Sequence, residues 1–140
     1  NDRFRAAAEQ VFVTGSFWYS GAPMAAAVKV LEILERDDGT ARLRAAGERF
    51  CSGLTESAAL HGFEVTMSGP PAIPLMHVGD DPEAKLGEAF CQQALARGVY
   101  LHNKHNMFLS LAHTDGVIDE ALSAIDDAFG ALALERSVDA

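Results

Sequence analysis

Apolar residues recur along the last quarter of the chain at Ile118, Leu122, Ile125, Phe129 and Leu132. Steps of four, three, four and three place them on one face of an amphipathic helix starting near Asp115 or Gly116. A helix is expected over Met24–Arg36 with Ala27, Val30, Leu31 and Leu34 on one face and Pro23 in a position its first turn tolerates, and "RDDGT" is expected to end it at Gly39. The next helix runs from Thr40, its expected N-cap, to His61, with a stripe of Leu43, Ala46, Phe50, Leu54 and Ala58 and a stop at Gly62. "GDDPE" is expected to start a further helix, with Pro82 and Glu83 in its first turn, Leu86, Phe90 and Ala94 inward, and an end at Gly98.

Strands are expected where β-branched and aromatic residues cluster without helical spacing. These are residues 10–14, 63–67, 72–78, 99–101 and 107–111. Pro74 confines the third of them to a strand start or an edge. The order β-α-α-β-β-α-β-β-α predicts an α+β fold, a small sheet under a helical layer, with the first strand and helix as an arm leading into it.

Composition narrows the function classes. The chain has 140 residues, 49% hydrophobic and 22% charged, which suits one ordered domain. A net charge of −9 argues against a nucleic-acid partner, since phosphate neutralisation needs a basic surface. Apolar runs such as residues 24–28 are too short to span a membrane, and no signal peptide is legible where Asp2, Arg3 and Arg5 interrupt the N-terminus. Cys51 and Cys91 lie in expected helices and read as reduced, mostly buried thiols of a cytoplasmic protein.

Candidate chemistry is sparse. In "VTGSFWYSGAP", two glycines, several hydroxyls and the only Trp precede a helix start, an arrangement suited to binding an anion such as phosphate, with Phe17 and Trp18 as a wall. On spacing alone a plain turn with its aromatics in the core remains open, because the stretch matches no general phosphate-loop pattern. His102, His105 and His113 lack the Cys or carboxylate that completes a metal set and read as solvated or hydrogen-bonded loop residues. Lys29, Lys85 and Lys104 read as solvated. No nucleophile–base–acid set is legible, so no residue is assigned to catalysis.

Two stretches, "VTGSFWYSGAPMAAAVKVLEIL" and "RGVYLHNKHNMFLSLAHTDGVIDEALSAIDDAF", together resemble class III pyridoxal-phosphate-dependent aminotransferases, in the branch of glutamate-1-semialdehyde 2,1-aminomutase. "GFEVTMSGPPAIPLMHV" between them is similar to the strand pair of that family's small domain. The resemblance implies a C-terminal part: residues 1–22 ending the large cofactor domain, 23–36 a linking helix, and 37–140 a small domain with an antiparallel sheet covered by helices. It implies pyridoxal 5'-phosphate as cofactor of the full-length parent, with Gly15, Ser16 and Phe17 at its phosphate. Ser16 stands where the family usually has Thr, so a hydroxyl is kept. It also implies a homodimer through Ser16–Trp18, with the phosphate contact made in the partner subunit's site, and a small-molecule amino substrate. The family's catalytic lysine lies upstream of the matched stretch, so the isolated chain is expected to be inactive. "SGAP" and "HNKHN" depart from the family's usual turn and loop and leave the substrate open. A non-enzymatic dimerisation or partner-binding module of the same fold is the alternative.

Overall fold

The computed structural model describes residues 5, 9–11, 15, 20–79 and 81–138. They fall into two units that divide between Asp37 and Asp38.

In the first unit, helix α1 spans Gly21–Arg36, after an extended Ser20 at φ −71 and ψ 127. It starts three residues before the expected Met24. Pro23 therefore sits within the first turn, where N–H groups have no intrahelical acceptor and its missing donor costs no bond. No residue of α1 is buried. Lys29 and Glu32 pair at 3.0 Å along its surface. The strand expected over residues 10–14 is not seen at its described positions: Gln10 lies in a turn and Val11 in a bend, while residues 12–14 lie outside the described set.

The second unit opens with α2, Gly39–Leu60. Here the expected break is displaced by one residue. Asp38, not Gly39, takes the left-handed conformation, at φ 50 and ψ 42, and Gly39 begins the new helix as a buried residue. Aspartate tolerates that region better than most side chains do. Thr40 is accordingly inside the helix and not its cap. Helix α2 buries Phe50, Leu54 and Ala58, as its stripe predicts. It ends with Phe63 N–H donating to Ala58 O at 2.9 Å and Gly62 N–H to Ala59 O at 3.1 Å. This closing pattern needs a left-handed residue, supplied by Gly62 at φ 80.

Strands β1 (Val65–Ser68) and β2 (Leu75–Val78) form a two-stranded antiparallel sheet, with Val65 opposite Val78 and Met67 opposite Met76. Alternation turns Val65 and Met76 into the core and leaves Thr66 and His77 exposed. Pro74 is fully buried immediately before β2, where the ladder does not need its N–H.

The strands expected at 99–101 and 107–111 do not form; both segments are irregular. The second still runs beside the chain leading into β2, with Met107 N–H donating to Pro74 O at 2.8 Å and Leu109 N–H to Ala72 O at 3.0 Å. Pro74 has no N–H with which to return the first bond, so the pairing stops short of a ladder.

Helix α3 spans Lys85–Ala96 and begins later than "GDDPE" suggests. Ala84 takes a left-handed conformation at φ 57, which leaves Pro82 and Glu83 in a preceding turn. Asp81 reaches over that turn, and its carboxylate accepts from Gly87 N–H at 2.8 Å. The helix closes at Gly98, φ 87, with Val99 N–H donating to Ala94 O. Helix α4 spans Asp115–Val138, and Thr114 Oγ1 accepts from Val117 N–H at its start.

Helices α2 and α3 pack on α4, and the sheet lies against α2 and α3. The core is built from Phe50, Leu54, Met76, Phe90, Ile125 and Phe129 with their neighbours. Phe90 and Phe129 stack at 4.0 Å between ring centres. The architecture is α+β, a small antiparallel sheet covered by helices, as expected. Among the described residues, no helix is long and apolar enough to cross a membrane.

Candidate functional site

Of the three residues expected at a phosphate, Gly15 is exposed and outside any helix or strand. Ser16 and Phe17, with Trp18, lie outside the described residues. Just downstream, the Ser20 hydroxyl makes no capping bond and the first turn of α1 carries no acidic residue. The N–H groups of Gly21, Ala22 and Met24 at that turn have no intrahelical acceptor.

The second unit carries a groove of about 700 Å³. Its floor is apolar: Phe50 from α2, Leu101, Met107 and Leu109 from the connecting segment, and Ile118 and Ala121 from α4. Its rim is polar: His102, Lys104, His105, Asn106 and His113. The size is that of a small-molecule site.

The connecting segment is pinned at several points. Asn103 Nδ2 donates to Ala84 O at 3.0 Å, and its side chain fills the space above Gly87, where a β-carbon would lie 2.7 Å from that nitrogen. Asn106 Nδ2 donates to Ile73 O at 3.2 Å. Lys104 Nζ lies 3.5 Å from Glu88, an exposed pair. The backbone also orients the imidazoles. Lys104 N–H donates to His102 Nδ1 at 3.0 Å and Ser110 N–H donates to His113 Nδ1 at 2.9 Å. Neutral His102 and His113 therefore carry their proton on Nε2, which is left to donate outward. His105 Nδ1 lies 2.9 Å from Asn106 O and donates to it, since a carbonyl can only accept.

Two further groups are shaped by their surroundings. Burial raises the Asp81 carboxyl, but the N–H groups of Gly87, Leu86 and Lys85 and the charge of Lys104 outweigh it and hold its pKa below the ordinary value. A depressed folded-state pKa contributes stability above the unfolded value of 3.8, and that contribution is lost as pH falls through the lower folded value. Asp81→Ala is therefore expected to lower the urea midpoint at neutral pH, with the gap to the parent narrowing below pH 3.8. A gap that stays constant through acid would assign the loss to something other than this carboxylate's charge. Cys91 is pushed up to about 11 by burial, against the Asn103 N–H and with Glu88 adding to the rise. Burial raises Cys51 too, so both remain protonated thiols at neutral pH and neither is an activated nucleophile.

No group of three or more His, Cys, Asp or Glu side chains among the described residues is placed to hold a metal ion. Each lysine is exposed and faces a glutamate: Lys29 with Glu32, Lys85 with Glu83, Lys104 with Glu88. The groove itself was not read from the sequence, which gave its rim residues as solvated loop. The available signal was His102, Lys104, His105 and His113 falling within twelve positions, three of the five histidines and one of three lysines.

No family model matches the chain. It is 42% identical over 132 residues to the aminopentol aminotransferase of Sphingopyxis macrogoltabida, an overlap of 94% of this chain and 31% of that protein. It is 26% identical over 121 residues to the 3-aminobutyryl-CoA aminotransferase of Cloacimonas acidaminovorans (strain Evry), 84% of this chain and 29% of that one. Its fold superimposes on the FumI protein of Sphingopyxis sp. MTA144, solved in its PLP internal aldimine form, with a TM-score of 0.85 and 40% identity. That overlap covers 98% of this chain and 33% of FumI. The chain thus spans about a third of the length of each relative. By sequence and by fold, the chain is similar to about a third of two proteins named aminotransferases and of a protein solved with PLP bound as an internal aldimine.

Proposed function

We propose that the chain is the C-terminal segment of a cytoplasmic class III pyridoxal-phosphate-dependent aminotransferase. Residues 1–22 end the large domain, 23–36 form a linking helix and 37–140 form the small domain. The 42% identity running through 94% of the chain carries this reading.

The described residues suit the phosphate end of the cofactor. Gly15 is exposed, the Ser20 hydroxyl makes no capping bond to α1, and α1 starts without a repelling carboxylate. Gly15 and Ser16 hold the phosphate through backbone N–H groups and the Ser16 hydroxyl, with Phe17 beside them. They do so in the partner subunit's site, across a homodimer contact at Ser16–Trp18. When bound, the cofactor supplies the electron sink for amino-group transfer. The chain's own lysines do not suit its carbonyl end. A lysine that attacks a carbonyl needs a desolvated or electropositive setting, and Lys29, Lys85 and Lys104 are 65%, 80% and 54% exposed and paired with glutamates. The 140 residues alone are therefore inactive.

The substrate is a small-molecule amine. The resemblance to the aminomutase branch implies an amino group moved within one carbon skeleton. Both curated relatives are named aminotransferases, which favours transfer between two molecules.

Incubating the chain with pyridoxal phosphate, reducing with borohydride and weighing the intact protein should give no stoichiometric adduct. A single labelled lysine would place a cofactor site within this chain and overturn the division of labour. In the whole enzyme, Ser16→Ala should weaken cofactor binding by about 1 kcal/mol, roughly fivefold in Kd. An unchanged Kd would remove Ser16 from the phosphate. A whole protein that neither binds the cofactor nor transfers amino groups would leave the dimerisation-module reading in its place.

A further inference from the structure

The outer edge of β2 is unfinished. Gly79 N–H donates to Glu64 O at 2.7 Å. Strand alternation therefore turns the main-chain groups of Leu75, His77 and Gly79 toward β1, and those of Pro74, Met76 and Val78 away from it. Of that outward set, Pro74 O accepts from Met107 N–H. Among the described residues, nothing pairs with the outward N–H and C=O groups of Met76 and Val78. Met76 is 0% exposed, and an unpaired main-chain group is costly in a buried residue. A gap of about 400 Å³ lies beside these groups, between residues 76–79 and Asn103.

The segment that can fill the gap is already in register for it. Met107 N–H and Leu109 N–H donate to Pro74 O and Ala72 O, an antiparallel alignment. Continued along β2, it sets His105 opposite Met76 and Asn103 opposite Val78. Residues 104–106 are exposed, and residues 99–111 contain no proline to interrupt a strand. Asn103 is what holds them off. Its Nδ2 donates to Ala84 O at 3.0 Å, its N–H donates to the Cys91 sulfur, and its side chain fills the space over Gly87. Lys104 adds only an exposed pair with Glu88 at 3.5 Å. Pairing with β2 would exchange these contacts for main-chain bonds between His105 and Met76 and between Asn103 and Val78. The exchange is of a few bonds, with no core side chain displaced, which is the kind of balance that supports two populated arrangements.

We propose that residues 103–106 are a two-position strap, anchored on α3 by Asn103 in one position and zipped onto the free edge of β2 as a third strand in the other. Zipping puts Lys104 beside His77 on the exposed face of the sheet, because side chains opposite each other share a face. It also draws Lys104 and His105 away from the rim of the groove that both now line, so the strap gates that groove. The inference rests on the second unit alone and does not depend on the aminotransferase reading or on any cofactor.

The test is amide hydrogen exchange and nuclear Overhauser contacts in the isotopically labelled 140-residue chain, compared with two variants that release the anchor. Asn103→Ala removes the bond to Ala84 O. Gly87→Ala evicts the Asn103 side chain, since the new β-carbon would lie 2.7 Å from its Nδ2 and 3.1 Å from its Cβ and meets no other residue as closely. In both variants the Met76, Val78 and His105 amides should exchange about tenfold more slowly than in the parent, the effect of gaining a main-chain bond. The α-hydrogens of His77 and Lys104 should come into contact, as a non-hydrogen-bonded pair does. The Phe129 amide, within buried α4, should exchange as in the parent and so report an intact core. Unchanged exchange at Met76 and Val78, with residues 103–106 merely frayed, would overturn the proposal. So would slow exchange at both amides in the parent with contacts to bound water, since the edge would then be completed by solvent, or protection that follows protein concentration and marks a second copy on the edge.

Discussion

Truncating Phe129 to alanine should cost about 4 kcal/mol of unfolding free energy. Phe129 is completely buried on α4. Its ring stacks on Phe90 of α3 at 4.0 Å and 15°, and meets Phe63, just beyond α2, at 5.5 Å and 34°. One side chain thus joins three segments brought together from distant parts of the sequence. Removing it forfeits the transfer free energy of the ring and both aromatic contacts. It also leaves a cavity, because α3 and the segment after α2 are each held by other buried residues and cannot collapse into the gap. Domains of this size are stable by about 5–15 kcal/mol, so the loss takes a large share of the total. Urea denaturation followed by circular dichroism reads it directly. Leu134→Ala, on the same helix but 69% exposed, serves as the control and should change stability by less than about 0.5 kcal/mol. A loss below about 1 kcal/mol for Phe129→Ala would mean that α3 does not seat on α4 as described.

The residues behind that prediction are also those most readable from the sequence. Ile118, Leu122, Ile125, Phe129 and Leu132 share a helical face by local spacing alone, and all are buried or half-buried. Local spacing says less where a break depends on backbone conformation. "RDDG" marks a boundary, but Asp38 and not Gly39 adopts the left-handed geometry; "DDPEAK" contains a helix start, but Ala84 makes the turn and Asp81 caps across it. The segments at 99–101 and 107–111 have strand-like composition. Whether they become strands depends on a partner, and the partner at 72–74 contains a proline that cannot return a bond. The groove was hidden for a related reason. It exists only because Phe50, the 99–109 segment and the start of α4 converge, and no periodicity reports a cavity. The bend at Gly15–Phe17 stood out by composition and by family resemblance, and of its three residues only Gly15 has a described position, exposed and irregular.

Gly47→Ala sets local preference directly against tertiary packing. Within α2, alanine is favoured over glycine by about 1 kcal/mol, so propensity alone predicts a more stable protein. The structure predicts the reverse. A β-carbon at Gly47 would lie 2.2 Å from Pro71 O, 2.3 Å from Pro71 C and 2.8 Å from Ala72 N. All three are backbone atoms, so no rotamer change relieves the contact. The turn cannot easily retreat, because Ile73 N–H is bonded to Pro70 O at 2.8 Å and Pro74 is buried beside it. Helix α2 must move instead, and it carries Phe50 and Leu54 into the core within the next two turns. The expected result is a net loss of about 3 kcal/mol, the upper part of the range for overpacking a filled interior. Gly53→Ala, in the same helix, separates the two effects. Its β-carbon would approach Leu122 Cδ1 at 2.5 Å and Cδ2 at 2.7 Å, the movable end of a half-buried side chain. Rotation of Leu122 relieves most of that clash, and the gain in helix propensity offsets part of the rest, so Gly53→Ala should cost no more than about 1 kcal/mol. Denaturation midpoints of the two variants should therefore rank Gly47→Ala well below Gly53→Ala. If Gly47→Ala were neutral or stabilising, propensity would have won, and the turn at residues 70–72 could not be seated against α2.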